Sequence, residues 1–210
     1  KENEILTAIV QRVENKQVFV ELGRTEGLLE PSQQMPTEEL NINDRIKVYV
    51  LEVSRQGRGP QVFVSRTHPG LVKRLFELEV PEIVTGVVQI KSIAREAGYR
   101  TKMAVVSTDP LIDAVGSCVG PRGMRVENVV NELKTEKIDI VRWSQDPAEY
   151  IANALNPARV LSVFVSETEK AAAVVVPDNQ LSLAIGKEGQ NARLAAKLTG
   201  WKIDIKSQSQ

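Results

Sequence analysis

Cysteine and histidine occur once each in the 210 residues, as Cys118 and His68. A lone thiol closes no internal disulfide, and with a single histidine there is no conventional zinc site and no Cys/His or Ser/His dyad beyond chance. A reducing, cytoplasmic setting is expected. Aromatic residues make up only 4% of the chain, too few for base stacking to be the main source of any nucleic-acid affinity. Long apolar runs are missing too. The longest, "AAAVVV" at 171–176, falls far short of the roughly 20 residues of a membrane-spanning helix, as does "TAIV" at 7–10, so no membrane association is expected. Excess charge of either sign is also lacking. Lys and Arg total 27 against 27 Asp and Glu, and the balance stays flat along the chain. A strongly basic domain, the simplest electrostatic sign of a nucleic-acid binder, is therefore absent. Any nucleic-acid affinity would have to come from local backbone donors, a few Arg and Lys side chains and base contacts. There is no Walker loop, no G-x-G-x-x-G and no recognisable paired-carboxylate metal site, so no catalytic residue, metal or cofactor is expected. The chain starts at Lys1 without an initiator Met or an apolar leader, and a piece of a longer protein is expected.

What is present is ordinary globular material, 42% hydrophobic and 26% charged, long enough for two or three small domains. Residues 5–66 read as short strands: "LTAIVQRV", "QVFVEL", "GLLE", "RIKVYVLEV" and "QVFVSR". They are rich in β-branched residues and separated by turn chemistry. In the fourth, Ile46, Val48, Val50 and Val53 recur nearly every second position, with Lys47 and Tyr49 directed the other way. Five such strands in about sixty residues suit a small closed barrel of the OB type.

After "HPG" at 68–70 the pattern becomes mixed. "LVKRLFEL" places Leu71, Leu75 and Leu78 on one helical face, and Pro81 closes the segment. Two extended runs follow, "TGVVQIKSIARE" and "YRTKMAVVST". Asp109 with Pro110 then predicts a helix start, and "RGMRVENVVNELK" is a helix with Val126, Val129, Val130 and Leu133 on its buried stripe. "KIDIVRW" is a strand. The same order then recurs: "DPAEYIANALN" as a helix capped by Asp146, two strands, the helices "NQLSLAIG" and "GQNARLAAKLTG", and the strand "WKIDIK". This internal repeat of helix–strand–strand–helix–helix–strand has a period of about 66 residues. The two copies are expected to pack together, because only "WSQDPAE" joins them.

Between the paired helices of each copy lies a G-x-x-G: Gly120, Pro121, Arg122 and Gly123 in the first, Gly186, Lys187, Glu188 and Gly189 in the second. Paired glycines let backbone turn tightly and approach a partner closely. Each loop leads into a helix N-terminus, whose unpaired N–H groups attract phosphate. Arg122 and Lys187 add one cation apiece. Pro121 removes an N–H from the first loop and Glu188 places a carboxylate in the second, so the two loops are read as joint contributors. A narrow apolar-floored groove beside such helices suits splayed single-stranded bases and excludes a duplex.

The repeated frame resembles the type II KH domain twice over. The first sixty-odd residues resemble an S1 domain, notably in "IVQRVENKQVFVEL", "EGLLE" and "DRIKVYVLEV". An S1 domain followed by two KH domains, joined through "VFVSRTHPGLVKRLFELEVPEI", is similar to the central region of the NusA family of bacterial transcription elongation and termination factors. The resemblance implies a multidomain chain: an all-β OB-type S1 barrel at 1–66 and two α/β (α+β) type II KH domains at 67–142 and 143–210. It further implies contact with single-stranded nascent RNA, with effects on pausing, termination and antitermination. RNA polymerase, engaged by an N-terminal domain lying before this segment, and other transcription factors are implied as partners, and a monomer is expected. Phosphate contacts would fall on the two loops and on Arg125, Gln190, Asn191 and Arg193 of the following helices, with Met124 and Ile185 beside the loops also in contact with RNA.

Phe19 is a further candidate, either stacking a base on the barrel face or, by its alternation with Val18 and Val20, filling the barrel core. Arg66 is either a phosphate contact or a solvated strand end. Cys118, His68, Trp143 and Trp201 are expected to serve packing. Two rival functions remain open: an RNA-binding appendage of a processing enzyme such as polynucleotide phosphorylase, whose domain order is KH then S1, and a protein-interaction scaffold built on KH frames that no longer bind RNA. A steep fall of affinity with salt would separate RNA binding from the scaffold.

Overall fold

In the computed structural model all residues are described except 56 and 58. By contact density the chain divides into two units. One comprises 1–81, 96–100 and 123–137, and the other comprises 82–95, 101–122 and 138–210.

The first unit is built on a closed five-stranded barrel of β1 (Ile5–Glu14), β2 (Gln17–Glu21), β3 (Glu26–Leu29), β4 (Arg45–Ser54) and β5 (Gln61–Ser65), in the order β1-β2-β3-β5-β4. Alternation decides its interior. Ala8, Val10, Val18, Val20, Leu29, Ile46, Val48, Val50, Val62 and Val64 form a single apolar core, as the period of two requires. The register of β4 on β5 shifts between Val50 and Glu52. That bulge explains why the apolar series passes from Val50 to Val53 and not to residue 52. Tyr49 is also buried, but on the other face, where its ring stacks on His68 at 4.4 Å. His68 caps helix α1 (Pro69–Glu79), its Nδ1 accepting from the Gly70 N–H at 2.8 Å. Helix α4 (Met124–Leu133) packs in this same unit against α1.

Arg66 locks α4 to the barrel. Its guanidinium is completely buried and pairs with Glu38 at 2.6 Å and Glu132 at 2.7 Å, while also donating to the carbonyls of Lys47 and Glu132. A guanidinium committed in this way has no face left for phosphate, so both sequence readings of Arg66, phosphate contact and solvated strand end, are corrected. Charges taken out of water are tolerated only when paired and hydrogen-bonded, and here they are.

In the second unit, β9 (Ser162–Ser166), β10 (Ala171–Val176) and β11 (Lys202–Ser207) form a sheet in the order β11-β10-β9, with β10 and β11 parallel. Helices α5 (Pro147–Ala154), α6 (Leu181–Ile185) and α7 (Gln190–Thr199) complete the second repeat. The first repeat's strands β6 (Val88–Glu96), β7 (Arg100–Ser107) and β8 (Lys137–Arg142) have the matching order β6-β7-β8. Ala94, Ala104 and Val141 from these strands enter the same core as Ile151, Leu155, Val174, Leu194 and Leu198. The first sheet and the second repeat thus share one interior. A buried ion pair, Lys102 to Asp139 at 3.0 Å, adds to it, and Lys102 also donates to the Asn156 carbonyl at 2.8 Å.

One local expectation is corrected. Asp109 does not start a helix. Its carboxylate accepts from the Leu111 N–H in a turn, an arrangement that competes with helix initiation, and α3 begins only at Ala114 (Ala114–Val119) with Asp113 at the cap position. Pro81 closes the segment as expected, since α1 ends at Glu79 with Val80 as its C-cap; what the sequence did not announce is that Pro81 also opens the short α2 (Pro81–Val84), where the missing N–H costs nothing. Asp146 caps α5 as the sequence predicts, accepting from the Ala148 N–H.

Candidate nucleic-acid interface

The two glycine loops have nearly the same backbone. Gly120 lies at φ 78°, ψ 170° and Gly186 at φ 81°, ψ 169°. Arg122 and Glu188, the third residues, lie at 56°, 23° and 57°, 26°. Gly123 and Gly189 lie at 73°, 14° and 74°, 12°. The first position falls in a region essentially restricted to glycine. The other two are left-handed, and holding Arg122 or Glu188 there costs on the order of 1–2 kcal/mol. The same three-residue excursion, reached by sequences that share only their glycines, marks the loop backbone as the common element.

Gly123 and Gly189 are the N-caps of α4 and α7, and neither helix has a side-chain cap. The first-turn N–H groups therefore lack the usual Ser, Thr or Asp acceptor, and an anion is favoured there by the helix dipole as well. Pro121, Arg122, Lys187 and Glu188 are exposed, and Gly120, Gly123, Gly186 and Gly189 are half-buried. Met124, 60% exposed, and the exposed Ile185 give each loop an apolar neighbour. Arg125 and Gln190 are half-buried and Arg193 is exposed. Arg193 donates to the Glu188 carbonyl at 2.9 Å, which sets a cation beside the one acidic residue of the second loop.

Asn191 stands apart from the other predicted contacts. It is fully buried, and its Nδ2 donates to the carbonyls of Leu155 and Ala184, so the expectation that its side chain reaches phosphate is corrected.

On the barrel, Phe19 is outside the core, since its neighbours Val18 and Val20 face inward. The Arg12 guanidinium lies 4.1 Å from its ring centroid, within cation–π range. Phe19 is opposite Leu28, and Leu28 is opposite Phe63 across the neighbouring strands. The three form a half-buried apolar row on the barrel exterior. Leu28 and Phe63 also line a cleft of about 250 Å³ with Glu30, Gln33, Leu51, Glu52 and Val64. The sequence reading missed Phe63, although its alternation with Val62 and Val64 carries the same signal as that of Phe19.

Among the described residues no cluster of three or more His, Cys, Asp or Glu is placed to hold a metal, and no helix is long and apolar enough to cross a membrane. Cys118 is buried in α3.

Residues 1–65 match the S1 RNA binding domain, 66–143 the NusA-like first KH domain and 147–210 the NusA-like second KH domain. The chain belongs to the NusA family. It is 63% identical over 209 residues to the transcription termination/antitermination protein NusA of Bacillus subtilis, covering 100% of this chain and 56% of that protein. The protein of the same name from Halalkalibacterium halodurans is 62% identical over 210 residues, with 100% and 55% covered. That of Thermus thermophilus is 50% identical over 204 residues, with 97% and 53% covered. The chain thus spans about half the length of these relatives.

Proposed function

We propose that this chain holds single-stranded nascent RNA through an S1 barrel and two KH frames, and so regulates transcription elongation, pausing, termination and antitermination. The observation that carries the reading is the coincidence of the two loops, which agree within a few degrees at three unusual backbone positions and lead into helices without side-chain caps. Phosphate contacts fall on 120–123 and 186–189, supported by Arg125, Gln190 and Arg193, with Met124 and Ile185 as apolar neighbours. Phe19, with Leu28 and Phe63, offers a base-stacking row on the barrel.

The functional divisions are 1–66, 67–142 and 143–210, working in the cytoplasm as a monomer. The role is binding and not catalysis, with no cofactor. RNA polymerase and other transcription factors are the partners of the longer protein, the polymerase being engaged through a domain preceding these residues.

The even charge balance favours a second reading, a protein-interaction scaffold. Fluorescence anisotropy with short single-stranded RNA, duplex RNA and matched DNA at two salt concentrations separates the two. Single-stranded RNA is expected to bind best, more weakly as salt rises. Absence of binding to all three would leave the scaffold.

A further inference from the structure

The second loop closes on a single side chain. Asn191 is the second residue of α7, fully buried on the stripe that also buries Leu194, Ala195 and Leu198. Its Nδ2 donates to the Ala184 carbonyl at 2.9 Å and to the Leu155 carbonyl at 3.0 Å. Ala184 is the penultimate residue of α6, and Leu155 is the C-cap of α5. One carboxamide therefore ties the ends of two helices to the start of a third, and loop 186–189 spans the gap. Helix α6 has only five residues, so its terminal carbonyls find few partners within the helix; Asn191 supplies one. The loop also rests on this residue from the other side, since a Cβ added to Gly186 would lie 2.7 Å from the Asn191 backbone N.

The Asn191 Oδ1 has no hydrogen-bond partner among the described residues. A buried acceptor left unpaired is unfavourable, so packing alone would be better served by an apolar side chain. What the amide contributes is its pair of donors.

We propose that Asn191 is the positioning residue of the second glycine loop, holding the 186–189 backbone in its RNA-binding geometry without touching RNA. The inference rests on the reading that this loop contacts phosphate. The equivalent position of the first repeat is the half-buried Arg125, so the amide latch belongs to the second loop.

The test uses the 210-residue chain and a fluorescein-labelled pool of short, mixed-sequence single-stranded RNA, titrated at several salt concentrations. Asn191→Ser is expected to weaken binding about tenfold through lost pre-organisation and to shallow the salt dependence by about one phosphate contact. Combined with Gly189→Asp it should add nothing, and combined with Gly123→Asp it should add its full effect. A folded Asn191→Ser chain with unchanged affinity and salt slope, or one whose loss adds to that of Gly189→Asp, overturns the proposal. Should the variant not fold, the side-chain amide resonance of Asn191 gives the answer by NMR. RNA should shift it in the unaltered chain and in Gly123→Asp, but not in Gly189→Asp; a resonance indifferent to saturating RNA overturns the proposal equally. If Gly189→Asp itself keeps full affinity, the reading of the second loop as an RNA contact fails, and the positioning role with it. If Gly189→Asp weakens binding while Asn191→Ser does not, only the positioning role fails.

Discussion

The two glycine loops share a backbone and differ in nearly everything that surrounds it. The first has a proline and an arginine between its glycines, and its helix α4 is held by the buried Arg66 with Glu38 and Glu132. The second has a lysine and a glutamate, and its helix α7 is held through the carboxamide of Asn191. The same dihedral path is thus reached with an ion-pair network in one repeat and neutral hydrogen bonds in the other. What the two repeats share is the backbone shape of the loop. The means of holding that shape are free to differ, provided each buried polar group finds enough partners.

The most damaging way to break this comparison is at the first loop's support. Arg66→Ala removes the cation of Glu132 and leaves the buried Glu38 with only the half-exposed Lys134 ammonium at 3.7 Å, and it should cost about 3–5 kcal/mol, read as a lowered urea midpoint. Next is the shared shape itself. Gly123→Asp with Gly189→Asp introduces carboxylates where a Cβ meets nothing within 4 Å at Gly123 and only Arg193 at 3.8 Å at Gly189. Asp tolerates left-handed backbone, so the chain should keep its circular dichroism spectrum while RNA affinity falls on the order of 100-fold by anisotropy. Unchanged affinity in the folded double variant would sink the proposed function.

Within the second loop the two glycines should separate by stability. Gly186→Ala forces a Cβ against the Asn191 backbone in a glycine-only conformation, a loss of about 2–3 kcal/mol. Gly189→Ala, with open space and left-handed angles, should lose about 1 kcal/mol. Equal midpoints for the two variants would refute the distinction.

Alkaline pH probes the unit that carries the second loop. Burial pushes the Tyr150 phenol up to about 12, above its ordinary value of about 10. A raised pKa means stability that is fully present below pH ~10 and is lost as pH rises through ~12. Thermal midpoints of the unaltered chain should therefore fall across that interval more steeply than those of Tyr150→Phe. The smallest effect is expected at Glu188→Gln, which removes like-charge repulsion of phosphate from the second loop and should tighten RNA binding by a few-fold, near 0.5 kcal/mol.

Most of the architecture was legible because it depends on periodicity. The barrel strands alternate, the helices carry stripes, and the glycine loops recur at a fixed offset. What escaped were features that join distant residues. Arg66 meets Glu38 and Glu132, 28 and 66 positions away, and no local pattern announces such a partnership. Asp109 misled because a carboxylate before proline suits a turn as well as a helix start. Asn191 was legible in principle. With Leu194, Ala195 and Leu198 it falls on the i, i+3, i+4, i+7 series, and a polar residue on an apolar stripe is a sign of internal hydrogen bonding. The KH resemblance instead implies a phosphate contact at this position.

The boundary between the two contact units has a consequence for modularity. The first repeat is a single unit of duplication in the sequence, yet α1 and α4 are packed with the barrel while β6, β7 and β8 share a core with the second repeat. The segment that repeats is therefore not the segment that packs as one unit. A chain cut at residue 66 would strip the barrel of the helix that Arg66 grips, and one limited to 67–142 would lack Arg66 itself and leave Glu132 without its cation. The repeat in the sequence draws its line between domains, whereas the interior of the protein draws one through the middle of a domain.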